Sequence, residues 1–108
     1  MASQIHGVLI TELRQIRDER GSILHVLRAD ESKFTGFGEC YFSEVLSGQV
    51  KAWKRHSLQT QELAVPVGRI KMVIYDDREG AETRGQVQVL EMGRPDAYYR
   101  LGIPPGLW

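Results

Sequence analysis

One cysteine, three histidines and no surplus of either charge set the first limits on this 108-residue chain. A lone Cys40 has no internal partner for a disulfide, and nothing at the start directs export, so the expected setting is the reducing cytoplasm. Cys40 sits between Glu39 and Tyr41 in a stretch that reads as a strand, where a packed, inert thiol is expected. Fourteen Lys and Arg balance fourteen Asp and Glu, so no global field draws the chain to nucleic acid or to an anionic membrane. The longest apolar runs, such as Met72 to Tyr75, fall far short of the roughly 18–20 residues that cross a bilayer. Met1 to Ile5 lack the charged and then apolar regions of a secretory signal. The length suits one domain with one core.

What the chain does have is strand pattern. Val8 to Ile16, Ile23 to Arg28, Glu39 to Leu46, Val50 to His56, Leu63 to Val67, Ile70 to Tyr75 and Gln86 to Glu91 mix β-branched or aromatic residues with polar ones. The alternation is clearest where Ile70, Met72 and Ile74 oppose Lys71, Val73 and Tyr75. Turn chemistry separates the runs at Glu19-Arg20-Gly21, Ser47-Gly48, Val67-Gly68-Arg69, Asp77 to Gly80 and Gly93-Arg94-Pro95-Asp96. Leu9, Leu13 and Ile16 also recur at helical spacing, but the segment lacks a firm cap and follows Gly7-Val8, so strand is preferred. Short strands with turns between them predict an all-β, antiparallel barrel or sandwich.

One stretch has a distinctive frame. It runs Gly48, five residues, Lys54, one residue, His56, four residues, Gln61, six residues, Gly68. That frame resembles the first motif of the cupins: glycine, five, histidine, one, histidine, three or four, glutamate, six, glycine. Two of the three metal-ligand positions of that motif are changed here, to Lys54 and Gln61. Further segments resemble the sugar-nucleotide 3,5-epimerases that act on dTDP-4-dehydro-6-deoxyglucose, and related ketoisomerase cupins. Asp18-Glu19-Arg20-Gly21 matches their Asp-x-Arg-Gly, and Val50-Lys51-Ala52-Trp53-Lys54 falls at their Leu-Arg-Gly-Leu-His. Asp76-Asp77-Arg78 followed by Thr83-Arg84-Gly85 matches Asp-Leu-Arg-x-x-Ser-x-Thr-Phe-Gly, and Ile103-Pro104-Pro105-Gly106 matches Ile-Pro-x-Gly. The resemblance implies a small jelly-roll β-barrel over residues 1–108, a single cupin domain without the family's C-terminal histidine, tyrosine and aspartate. It also implies a homodimer that exchanges N-terminal strands, here Val8 to Ile16.

Epimerisation beside a ketone needs a base for the α-proton, a partner for the enolate oxygen and an acid on the opposite face. By resemblance Lys54 stands where the family has its histidine base, and strand alternation puts His56 on the same face. A lysine serves as base only where desolvation or a neighbouring cation lowers its pKa. The other reading is a lysine at the barrel mouth beside an ordinary polar histidine. Arg20 would hold phosphate through its guanidinium fork, and Lys51 takes the place of a second phosphate-binding arginine. Ile23 and His25 replace the family's base-contacting phenylalanine and glutamate. Gln59 and Gln61 would either bond sugar hydroxyls or satisfy a strand edge. Asp76 and Arg78 read as structural, an aspartate capping backbone amides and an arginine paired with it. Trp53, Trp108, Tyr98 and Tyr99 read as packing anchors before ligand platforms. With His56 alone left of the motif's ligands, and His6 and His25 without partners at ligand spacing, no metal or redox cofactor is expected. The expectation is a metal-independent, epimerase-like enzyme on a nucleotide sugar or related carbohydrate. A non-catalytic ligand-binding cupin stands as the alternative, with a metal-dependent small cupin behind it.

Overall fold

In the computed structural model, residues 4–108 are described, and they form strands without helices. The strands are β1 Leu9–Glu12, β2 Gln15–Asp18, β3 Gly21–Leu24, β4 Gln61–Leu63, β5 Arg69–Tyr75, β6 Val87–Gly93 and β7 Tyr99–Ile103. All ladders are antiparallel. One sheet has the order β1-β7-β4, and β2-β3 and β5-β6 form two hairpins.

The β5-β6 hairpin shows how the alternation expected of Ile70 to Tyr75 becomes a core. Its register sets Ile70 opposite Met92, Met72 opposite Leu90 and Ile74 opposite Gln88. Directly opposed residues share a face, so this one row meets the core while Lys71 and Val73 point away. In β7, Leu101 pairs with Ile10 on one side and Leu63 on the other and is fully buried. Ile5, Val8, Ile74, Met92, Leu101 and Leu107 form the buried cluster, with Leu63, Val65, Ile70 and Met72 among those packed on it. Each such side chain contributes about 1.5–3 kcal/mol on leaving water. Gln88 is buried in the same row because its Oε1 accepts a hydrogen bond from the Ile5 amide at 2.8 Å. The N-terminal segment is thereby stitched to β6.

The run expected as one strand, Val8 to Ile16, is two. β1 pairs with β7, the chain bends at Leu13-Arg14, and β2 turns back on β3. Asp18 closes that hairpin by accepting the Arg20 amide at 2.8 Å. The segment Tyr99–Ile103, flanked by prolines and carrying Gly102, was not expected as a strand. It is the central strand of its sheet.

Two expected strands, Glu39 to Leu46 and Val50 to His56, are not formed. No strand lies between Leu24 and Gln61. Phe42, Val50 and Leu58 stay 94%, 84% and 92% exposed, and Cys40 is exposed rather than packed. Alternation makes a two-faced segment, but a strand exists only when a neighbour takes up its amides and carbonyls. Among the described residues, no strand does so for these runs, and the Gly106 amide takes up the His56 carbonyl alone.

Candidate functional site

Lys54 and His56 lie on the extended segment that precedes β4. Lys54 is exposed and His56 half-buried. The His56 carbonyl accepts the Gly106 amide at 2.8 Å, which draws this segment against the Ile103-Pro104-Pro105-Gly106 turn. The His56 imidazole has its Nε2 buried without a hydrogen-bond partner among the described residues. A buried ring nitrogen left unpaired is costly, so such an atom is a candidate to receive a proton or a donor. The His25 Nδ1 is buried and unpaired in the same way.

The remaining sequence-predicted residues are spread out. Gln61 opens β4, pairs with Ile103 and shares the face of Leu63 and Leu101, the interior side of its sheet. Gln59 is exposed just ahead of it. Lys51 is exposed and its Nζ donates to Ser43 Oγ at 3.0 Å. Arg20 stands at the β2-β3 turn, where its Nη2 pairs with Asp18 Oδ2 at 2.8 Å. That guanidinium holds the Asp18 carboxyl below its ordinary range. An anion at Arg20 therefore competes with Asp18. A shallow cleft of about 240 Å³ is lined here by Asp18, Arg20, Gly21, Ser22 and Ile23. A second cleft, of about 380 Å³, is lined by Trp53, Tyr75, Asp77 and Trp108. Neither is lined by Lys51, Lys54, His56, Gln59 or Gln61. The chain thus joins His56 to the proline-rich turn but leaves Arg20 in a cleft of its own.

Asp76 and Arg78 form the structural pair that the sequence indicated. Asp76 is fully buried, and Oδ1 accepts the Arg78 amide at 3.0 Å and Nε at 2.9 Å. Its Oδ2 accepts Arg78 Nη2 at 2.9 Å and the Thr83 hydroxyl at 2.6 Å. The guanidinium holds the Asp76 carboxyl far below the usual carboxylate range, against the opposing effect of burial. Arg78 Nη2 also donates to the His6 carbonyl at 2.8 Å, and Thr83 Oγ1 accepts the His6 amide at 3.1 Å. The Thr83-Arg84-Gly85 segment earns its place by clamping the N-terminal segment.

Sequence reasoning missed a second buried centre. Arg100, only 2% exposed, donates from Nη1 to the Val26 carbonyl at 2.7 Å. Its Nη2 lies 2.6 Å from Glu31 Oε1 and its Nε 3.3 Å from Glu62 Oε1. The Glu31 contact is a close charge pair whose angles do not make an aligned hydrogen bond. Tyr98 adds a bond from its hydroxyl to the His25 carbonyl at 2.8 Å, and burial pushes its phenol pKa up. Together they fasten the stretch from His25 to Glu31 over the β1-β7-β4 sheet. No spacing rule announces such a cluster, because Arg100 lies 38, 69 and 74 residues from Glu62, Glu31 and Val26. Among the described residues, no three His, Cys, Asp or Glu side chains are grouped to hold a metal ion.

Comparison with known proteins places this arrangement. No protein-family profile matches the chain. It is 33% identical over 103 residues to the spore coat polysaccharide biosynthesis protein SpsL of Bacillus subtilis, covering 95% of this chain and 68% of that one. It is 34% identical over 106 residues to the probable low-salt glycan biosynthesis epimerase Agl13 of Haloferax volcanii, covering 96% and 67%. The crystal structure of a dTDP sugar isomerase from Desulfovibrio desulfuricans superposes with a TM-score of 0.94 at 55% identity, over 96% of this chain and 66% of that one. The chain therefore spans about two thirds of the length of each relative. Its fold is that of the dTDP sugar isomerase structure. The chain belongs to the sugar-nucleotide epimerase/isomerase branch of the cupins.

Proposed function

We propose that this cupin takes a dTDP-4-dehydro-6-deoxy sugar, or a closely related nucleotide sugar, and moves a proton at the carbon beside its ketone. The observation that carries this reading is the His56 imidazole, whose Nε2 is buried and unpaired beside the proline-rich turn. The 55% identity to a dTDP sugar isomerase supports the substrate class. In this reading His56 or Lys54 removes the α-proton, giving an enolate whose oxygen needs a donor, and a proton then returns to the opposite face. A neutral imidazole with a free Nε2 accepts a proton without first giving up another bond. Gln61, on the interior face of β4, and Gln59 bond sugar hydroxyls. Arg20 anchors a phosphate by exchanging its Asp18 partner for phosphate oxygens, with Lys51 as a second cation. α-Proton transfer changes no oxidation state and needs no redox cofactor, and with Lys54 and Gln61 at two of the motif's ligand positions this reading uses no metal. The protein works as a cytoplasmic homodimer. The exposed free thiol of Cys40 suits a reducing compartment, and β1, the edge strand of its sheet, has an open side for a second copy.

The test is solvent exchange. Incubated in deuterium oxide with dTDP-4-dehydro-6-deoxyglucose, the protein incorporates deuterium next to the ketone, seen by mass spectrometry and proton NMR. His56→Ala and Lys54→Ala each slow the exchange, by about 10²-fold or more for the residue that acts as base. Exchange unaltered in the double variant removes both residues from the mechanism. Light scattering reports the dimer, and a monomer at micromolar concentration ends that part of the reading.

A further inference from the structure

One face of the β2-β3 hairpin gathers positive charge around a neutral amide. Register sets Arg17 opposite Ser22 and Gln15 opposite Leu24, so alternation puts these four on one face and Ile16, Asp18 and Ile23 on the other. Arg94 reaches the first face from the Gly93-Arg94-Pro95-Asp96 turn. Its Nε donates to Gln15 Oε1 and its Nη2 to Ser22 Oγ, each at 3.2 Å. Arg17 Nη2 donates to the same Gln15 oxygen, also at 3.2 Å. Two guanidinium nitrogens sharing one acceptor lie within twice that distance of each other, so two full charges meet over an uncharged group. The amide itself is held: Gln15 Nε2 donates to the Pro95 carbonyl at 2.9 Å, which turns the oxygen and not the NH2 to the arginines. The carboxylates nearest in sequence are engaged elsewhere, Asp18 with Arg20 and Asp96 with Arg69. Among the described residues, no acidic side chain pairs with Arg17 or Arg94.

We propose that Arg17, Arg94 and Ser22, set around Gln15, form a phosphate site separate from Arg20. The Arg20 guanidinium is turned to Asp18, which leaves the opposite face of the hairpin, so one phosphate does not touch both places. Like charges held close together are relieved by an anion between them, and a guanidinium meets an oxyanion through paired N–H bonds. Of five N–H donors each, Arg17 spends one and Arg94 two on described partners. Ser22 Oγ accepts from Arg94 and keeps its own hydrogen to donate. A ring made of donors selects a ligand that only accepts. The tetrahedral oxygens of a phosphate reach two guanidiniums and a hydroxyl at once, whereas the two oxygens of a carboxylate do not. A phosphate here ties the hairpin to the turn that precedes β7, joining Ser22 to Arg94 across 72 residues of chain. The free ion and the phosphate of a sugar ester share this chemistry.

The test titrates inorganic phosphate into the Arg20→Gln protein, so that the anchor of the proposed reaction takes no part. Low ionic strength keeps exposed charges least screened. Phosphorus NMR line widths saturate in the millimolar range, and the melting temperature rises with phosphate. Arg17→Gln and Arg94→Gln, each added to that background, weaken binding about tenfold. Arg17 is exposed, so its variant folds even where that of the half-buried Arg94 does not. Gln15→Glu places a carboxylate between the two guanidiniums, occupies the site from within and abolishes phosphate binding, with circular dichroism unchanged. Glucose 1-phosphate binding tenfold tighter than phosphate assigns the site to a sugar ester, and equal binding assigns it to the free ion. Two results overturn the proposal: no saturable phosphate binding in Arg20→Gln, or binding that Arg17→Gln and Gln15→Glu both leave within twofold. Deuterium exchange by the parent protein is read separately, so the failure of this site and the failure of the proposed reaction are told apart.

Discussion

Replacing Asp76 by asparagine is the sharpest probe of what holds this fold together. The carboxylate takes four hydrogen bonds, three from Arg78 and one from Thr83, in a place with no solvent. An asparagine of the same shape keeps one acceptor oxygen. With that oxygen at the Oδ1 position, its NH2 faces the Arg78 Nη2 and Thr83 hydroxyl donors, and the guanidinium loses its counter-charge. Breaking a buried pair from one side costs about 3–5 kcal/mol. Because Arg78 retains the His6 carbonyl and some solvent, about 3 kcal/mol is expected. Against a total of roughly 5–15 kcal/mol for a domain of this size, that lowers the melting temperature by roughly 12 °C or more. Thr83→Val removes one hydroxyl bond to the carboxylate and one from the His6 amide but no charge, and costs about 1–3 kcal/mol. The pH dependence has a definite sign. Folding depresses the Asp76 pKa, so its contribution is complete above the ordinary carboxylate value of 3.8 and is lost as pH falls below it. Urea titrations at several pH values between 2 and 7 measure both effects. A loss below about 1 kcal/mol in Asp76→Asn, or an acid sensitivity equal to the parent's, refutes the reasoning.

Three further outcomes follow from named contacts. Arg100→Met leaves the Val26 carbonyl unpaired and frees Glu31 and Glu62, so amide exchange across Val26 to Glu31 accelerates at least tenfold, and unchanged protection removes Arg100 as the fastener. Gly93→Ala forces a Cβ to within 2.7 Å of the Gly68 carbonyl oxygen at the open end of the β5-β6 hairpin, a cost of about 1–3 kcal/mol in urea denaturation; a neutral result shows that the turn can shift. Tyr98 and Tyr99 both ionise above the ordinary value of 10 because burial penalises the phenolate, so an absorbance titration contains a late component that Tyr98→Phe diminishes; loss of the Tyr98 hydroxyl bond costs about 1 kcal/mol, and an unaltered titration curve contradicts its assignment.

The legible parts of this molecule are those in which neighbours in sequence are also neighbours in space. Ile70, Met72 and Ile74 declare a core face, and the turn after Tyr75 returns the chain to β6 directly. Asp76 and Arg78, two residues apart, disclose their pairing for the same reason. The His-x-His-like frame and the motifs around it led to the family, though the side chains at its ligand positions had changed. Long-range partnership was not legible. Arg100 looks like an ordinary exposed arginine until Glu31, Glu62 and Val26 arrive from elsewhere in the chain. Glu39 to Leu46 and Val50 to His56 have strand composition, but composition carries no information about which strand lies beside them. The interior place of β7 was hidden by prolines that end the strand rather than break it.

This division bears on where chemistry sits. The well-tied part comprises β5, β6, β7 and the N-terminal segment fixed by Asp76 and Gln88. Lys51, Lys54, His56 and Gln59 lie instead on a segment joined to that body chiefly through the Gly106 amide. A catalytic group must be held within about 0.5 Å of its working position, which needs support from packed neighbours. His56 meets that condition best, being anchored at its backbone and buried at Nε2, whereas Lys54 is exposed and carries no described partner. Within the proposed reading, His56 is then the base and Lys54 an accessory charge. Replacing Lys54 by alanine should then lower the rate of deuterium exchange less than replacing His56, with melting temperatures nearly equal. The reverse order would mean that an exposed amine, and not the anchored ring, removes the proton.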